Sequence, residues 1–286
     1  MKKQFAVLFC LVGTFSQAQF TQHINSNRPS LSMGSYGVGK NVFQVETGYT
    51  MATYDHGKSS TYQLQVRTGL FFEQLEFLLQ SDYTTFSNNQ TTINGFRKLE
   101  LGTKLIIYDA YKNYSEPINL YSWKANQRYK FKRLIPAVAL YAGYHTHFPN
   151  SFSTVVPNYH WSFRLTTQQH LSRKWTLITN WNYEHLPTLQ TAYMGYIATL
   201  SFAASPKVAL FAEHTKKWGD YTYLLPHERE LLQGGATYRW HKNLQSDVHF
   251  GIGTNSKEKF WTAGIGLSWR NQRATQWKNP YENINR

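Results

Sequence analysis

Cysteine is almost missing from this chain of 286 residues: the single copy, Cys10, lies in the first dozen positions. Downstream of it there is no disulfide, no thiol nucleophile and no cysteine ligand for a metal. Charge is scarce as well, at 16% of residues against about a quarter in ordinary soluble domains. Long apolar runs are absent past the N-terminus, where the longest, Leu134 to Ala142, falls far short of the roughly 18 residues a spanning helix needs. A helical membrane bundle is thereby excluded. Disorder is excluded by what is abundant, since 9 Trp, 20 Tyr and 18 Phe supply more buriable surface than a solvated coil carries.

Residues 1–18 read as a secretory signal, with Lys2 and Lys3 at its start, Phe5 to Val12 as its apolar middle and Ser16-Gln17-Ala18 as a small-x-small cleavage site. Phe9 beside Cys10, with little apolar sequence before it, argues against lipidation of that cysteine. Removing the two lysines lowers the formal charge from +14 to +12. In an exported protein that excess does not meet nucleic acid; it points to anionic outer-membrane lipids, lipopolysaccharide phosphates or a partner protein.

From residue 41 to 270 the chain alternates apolar and polar residues with period two in segments of about ten, the pattern of membrane barrel strands. Twelve such segments are expected: Val42–Tyr54, Thr61–Phe71, Leu75–Thr85, Leu99–Tyr108, Ile135–His145, Tyr159–Leu171, Trp175–Glu184, Tyr193–Phe202, Lys207–His214, Leu231–Trp240, Leu244–Thr254 and Phe260–Arg270. In the last, Trp261, Ala263, Ile265, Leu267 and Trp269 alternate with Thr262, Gly264, Gly266, Ser268 and Arg270. Tight connections at 72–74, 172–174, 204–206 and 241–243 alternate with longer ones at 55–60, 86–97, 146–158, 185–191, 215–229 and 255–259. An up-and-down barrel with short periplasmic turns has that rhythm. The exception is the insertion 110–134, which falls on the periplasmic side. A soluble sandwich would also alternate, but with polar residues outside. Here lipid must meet the Leu, Val, Trp and Tyr face, because the other face carries the charges. The expected fold is therefore all-β: a closed up-and-down antiparallel transmembrane barrel of about twelve strands with periplasmic termini, preceded by a segment 19–40 and followed by a basic, aromatic tail 271–286.

Several stretches resemble a known family: Asn27-Arg28-Pro29, Val42 to Tyr49, Leu99 to Lys104, Pro136 to Leu140, Leu210 to Glu213 and Gly264 to Arg270 are similar to the outer-membrane "transporter", or MetA-pathway phenol-degradation, barrels common in Bacteroidetes. Ser30 stands where that family often has an acid after Arg-Pro, and the insertion 110–134 is longer than usual. The resemblance implies a barrel that takes up small hydrophobic or aromatic compounds.

The inward face is expected to carry the acids Glu46, Glu76, Asp82, Glu100, Glu184, Glu213 and Asp247 and the bases Arg67, Lys104, Arg164, Arg239 and Arg270. Two readings stand: the charges pair and fill the lumen, or some line a path for a small solute. Residues 19–40 are long enough to enter the periplasmic mouth as a plug, with Arg28, beside Pro29, finding an acidic partner there. Basic and aromatic residues interleave in the insertion at Trp123, Lys124, Arg128, Lys130, Lys132 and Arg133. They suit either lipid headgroups or a periplasmic or outer-membrane partner protein, the barrel then serving as an anchor in an envelope complex. Catalysis is not expected: His145, His147, His160, His170, His185, His214 and His249 come with no recognisable nucleophile or orienting acid. His145 and His147 are read as loop or girdle residues rather than metal ligands, and no metal or other cofactor is expected.

Overall fold

A computed structural model describes residues 24–88, 90–109, 121–122, 131–146, 159–172, 174–186, 191–218, 230–254 and 258–271. The expected leader 1–18, most of the insertion and all but Asn271 of the tail lie outside these residues. Twelve antiparallel strands follow in chain order: β1 (Val42–Tyr54), β2 (Gly57–Gly69), β3 (Leu75–Asn88), β4 (Thr92–Tyr108), β5 (Ala137–Thr146), β6 (Tyr159–Gln169), β7 (Trp175–Leu186), β8 (Thr191–Ala203), β9 (Val208–Trp218), β10 (Glu230–His241), β11 (Leu244–Thr254) and β12 (Lys259–Arg270). Each pairs with its sequence neighbours, and β1 pairs with β12 from Gln44↔Arg270 to Tyr54↔Phe260, so the sheet closes. Closure leaves no edge, the condition a sheet must meet to stand in hydrocarbon.

The two faces are inverted relative to a water-soluble domain. Among the largest fully buried side chains are Arg67, Arg270, Lys104, Glu46, Glu76 and Glu213, all pointing inward. The outward positions of the same strands carry large apolar groups in the open: Leu232 is 62% exposed, Ile265 60% and Ile252 57%. An exterior of Leu, Ile, Trp and Phe around a charged interior is stable only where the solvent is lipid.

Strand bounds differ from the sequence expectation at the rim away from the chain ends. β2 begins at Gly57 and β4 at Thr92, so the expected long connections 55–60 and 86–97 shrink to tight hairpins. The Asn88 side chain, accepting from the amides of Gln90 (2.9 Å) and Thr91 (2.7 Å), makes the second turn. Polar Ser and Thr pairs hide these extensions from a reading based on apolar alternation. β9 likewise continues to Trp218 rather than ending at His214. Register shifts once between β3 and β4: Asp82 faces Lys98 and Tyr83 faces Phe96, leaving Arg97 as a bulge.

If the outer face meets lipid, an arginine at its mid-height destabilises the barrel by about 2–4 kcal/mol. Ile265→Arg is expected to show that loss in denaturant-induced unfolding from phospholipid vesicles, whereas a water-facing residue would tolerate the change.

Candidate functional site: a lumen divided by the N-terminal segment

Residues 24–40 run through the barrel interior on the side of the chain ends. They form no strand of their own; apart from the Ile24 amide on the Lys242 carbonyl and a bridge of Lys40 to Gly69, their peptide groups turn to wall side chains, which meet them at successive points. Glu46 accepts from the amides of Asn27 (3.1 Å) and Arg28 (3.2 Å) and from the Ser26 hydroxyl (2.8 Å). Glu213 accepts from the amides of Leu31 (2.9 Å) and Ser32 (3.1 Å). Asn180 imitates a strand neighbour, its oxygen taking the Met33 amide at 2.6 Å and its nitrogen donating to the Met33 carbonyl at 2.9 Å. Gln168 accepts from the Ser35 amide, and Glu76 from that of Val38. Lys104 donates to the Gly34 and Tyr36 carbonyls at 3.2 and 2.9 Å.

The wall groups hold one another as well. Arg67 bridges Glu46 (2.9 Å) and Glu76 (2.6 Å), and Lys104 pairs with Glu76 at 3.2 Å. All four side chains are buried. Removing one partner of such a cluster strands a charge away from water.

Arg28 crosses the lumen to Gln63 (2.5 Å), the Ile265 carbonyl (3.2 Å) and Asp247 (3.4 Å). Its guanidinium lies in a slot made by two glycines paired across β1 and β12, Gly48 and Gly266. A methyl group at Gly48 would stand 2.1 Å from Arg28 Cζ, and one at Gly266 2.2 Å from its Nε. The alternating pattern needs polar or small residues there; the guanidinium needs them to be glycine.

Beyond this layer lies a cavity of about 390 Å³. Residues Asn27 to Met33 contribute to its lining, and Asp82, Arg97, Lys98, Glu100, Arg164, Glu184 and Lys217 bring charge to the wall. Lys98 pairs with Glu100 at 2.5 Å, and Glu100 also accepts from Tyr141 (2.6 Å) and Ser162 (2.9 Å). Glu184 accepts from the Tyr193 hydroxyl.

The inward residues expected from the sequence thus fall into three sets. Glu46, Arg67, Glu76, Lys104, Glu213 and Asp247 grip the inserted segment, while Asp82, Glu100, Arg164 and Glu184 line the cavity. Arg239 and Arg270 sit at the rim of the chain ends, Arg239 donating to the Pro206 carbonyl and Arg270 to Asn243 and the Lys242 carbonyl. Sequence reasoning missed Arg97, Lys98 and Lys217. The β4 bulge brings two successive residues to the cavity, which period-two counting forbids, and Lys217 lies on the part of β9 that continues past His214. Of the insertion residues, Trp123, Lys124, Arg128 and Lys130 lie outside the described residues; Lys132 and Arg133 belong to a 3-10 turn over Phe131–Leu134.

Fold and interior together define a transmembrane β-barrel whose lumen holds its own N-terminal segment below a charged chamber. The chain belongs to the family described as "Putative MetA-pathway of phenol degradation", whose model matches residues 26–271. Among solved structures it is similar to an outer membrane channel from Pseudomonas putida F1, with 12% identity, a TM-score of 0.57, and coverage of 86% of this chain and 100% of that one. It is also similar to the NanC porin, at 8% identity and TM-score 0.51, over 79% of this chain and 98% of the porin. These likenesses are of fold. The comparison with curated proteins gave no match.

Two variants test the grip on the segment. Glu76→Gln leaves Arg67 and Lys104 short of a counter-charge and is expected to cost about 3–5 kcal/mol in unfolding titrations. Gly48→Val evicts Arg28 while leaving the ladder intact. Proteinase K is then expected to trim the N-terminus of the folded variant, which mass spectrometry detects, while the wild-type terminus survives.

Proposed function

We propose that this protein is an outer-membrane channel of a Gram-negative cell through which a small solute passes, with both chain ends in the periplasm and the chamber facing outward. Family membership and the channel-like fold support the reading. The observation that carries it is the construction of the interior. Between a backbone bond of Ile24 to Lys242 and a bridge of Lys40 to Gly69, the segment is fastened by side-chain hydrogen bonds rather than by a strand ladder, so it can shift while the barrel remains closed. A wall built only for filling would not need a 390 Å³ chamber above a detachable floor.

The chamber sets what is admitted. Arg97, Lys98, Arg164 and Lys217 share its lining with Asp82, Glu100 and Glu184 and with Tyr141, Tyr193 and Tyr196. A compact solute with an aromatic or apolar body and a polar or anionic edge fits that wall, in keeping with the family description. Lys98 and Glu100 are paired, and opposed charges interleaved with tyrosines favour selection by shape and hydrogen bonding over bulk ion flow.

Planar-bilayer recordings test the proposal. The wild-type barrel is expected to show small, infrequent openings, and removal of residues 24–38 from the processed protein to give a steady, larger conductance. A barrel that stays shut in both forms, and that co-purifies with a defined envelope complex, would instead favour the anchoring role.

A further inference from the structure

At the end of the chamber away from the chain ends, β5, β6 and β7 bring two imidazoles and a carboxylate to one point of the wall. His145 and His160 are register partners across the β5–β6 pair. Their rings stack with centroids 3.9 Å apart and planes 12° apart. Both are buried, at 4% and 6% exposure. Glu184, from β7, places Oε2 3.5 Å from His160 Nε2. One donor atom from each of the three lies within 4.8 Å of the other two.

Packing does not account for this arrangement. His145 Nε2 and His160 Nδ1 are buried with no hydrogen-bond partner, and buried polar atoms normally find one. Glu100 lies 3.2 Å from His145 Nε2 and is already held by Lys98, Tyr141 and Ser162. A filled barrel wall would be better served at these positions by Thr or Gln, which reach neighbours across a strand.

We propose that His145, His160 and Glu184 form a binding site for a borderline divalent cation of the Zn2+ type at the outer mouth of the lumen. Two imidazole nitrogens and one carboxylate oxygen are a ligand set Zn2+ takes with a fourth position left open, here toward the chamber. Imidazole donors select Zn2+, Cu2+ or Ni2+ over Mg2+ and Ca2+, which take oxygen ligands. The surroundings supply part of the outer layer such sites use: the Tyr193 hydroxyl donates to Glu184 and orients it. Glu100 neutralises Lys98, the cation that would otherwise oppose a metal. The site stands whether or not a solute crosses the barrel.

Calorimetric titration of the processed, detergent-folded protein with ZnCl2 tests this directly. One tight Zn2+ per chain is expected, and the double variant His145→Asn/His160→Asn, left with a single carboxylate of the ligand set, is expected to lose it. His249→Asn, which changes a chamber histidine outside the cluster, is expected to leave the tight site unchanged. Heat-modifiable migration on gels verifies that each variant is folded. Should the double variant fail that check, electron paramagnetic resonance of the Cu2+-loaded wild type reads the ligands instead, with two imidazole nitrogens expected at the tight site. Absence of stoichiometric Zn2+ binding by the wild type, binding retained by the folded double variant, or a Cu2+ spectrum without two nitrogens overturns the proposal.

Discussion

Peptide groups that enter a barrel without joining its ladder must be satisfied by side chains, and much of this molecule's interior follows from that requirement. Residues 24–40 carry amides and carbonyls into a space where the strands have none to spare. Glu46, Glu76 and Glu213 accept from the amides, Lys104 donates to carbonyls, and Asn180 and Gln168 complete the set. The carboxylates then need counter-charges of their own. Arg67 and Lys104 supply them for Glu46 and Glu76, and in doing so tie β1, β2, β3 and β4 to the inserted segment, whereas Glu213 accepts from Thr199 and Gln233. One requirement thus explains Glu46, Glu76, Arg67 and Lys104 together.

The same chemistry makes the lumen divisible into a tight layer and an open one. Side-chain hydrogen bonds form and break without disturbing register, whereas ladder bonds do not. A closed sheet can therefore remain intact while its filling moves, and the chamber beyond the filling keeps its shape because its own charges are cross-braced: Lys98 to Glu100, Tyr141 and Ser162 to Glu100, Tyr193 to Glu184. Paired glycines recur where a long side chain must lie flat on the wall. Gly48 and Gly266 admit Arg28; Gly102 and Gly143 admit the Tyr141 hydroxyl and Glu100, since a methyl at either would lie within 2.2 Å of those atoms.

Much of the barrel was legible in sequence because lipid imposes a strict period. Trp261, Ile265 and Trp269 on one side of Thr262, Gly266 and Arg270 announce β12 without reference to any other strand. Where the apolar half of the pattern is lost, as in Gly57–Ser60, or the alternation is broken, as in Thr92–Lys98, the ends of strands escape notice. The bulge at Arg97 escapes for a different reason: it is a property of the β3–β4 pair, and no single strand records it. His145 and His160 were each visible as histidines in a strand, and His147 looked like the nearer companion. Their true pairing is made by antiparallel register across a loop, with Glu184 added from a third strand.

Alternation, composition and turn spacing thus determined by themselves that the chain forms a closed sheet of twelve strands with its greasy face outward, because each of those properties is local and every strand repeats it. Which inward charge meets which, that Arg28 lies between two glycines, that one layer is filled and the next open, and that two imidazoles and a carboxylate converge were decided only by closure of the barrel. Contacts across a lumen join residues more than two hundred positions apart, as Arg28 and Asp247 do, and their distances depend on the curvature and register of all the strands between them.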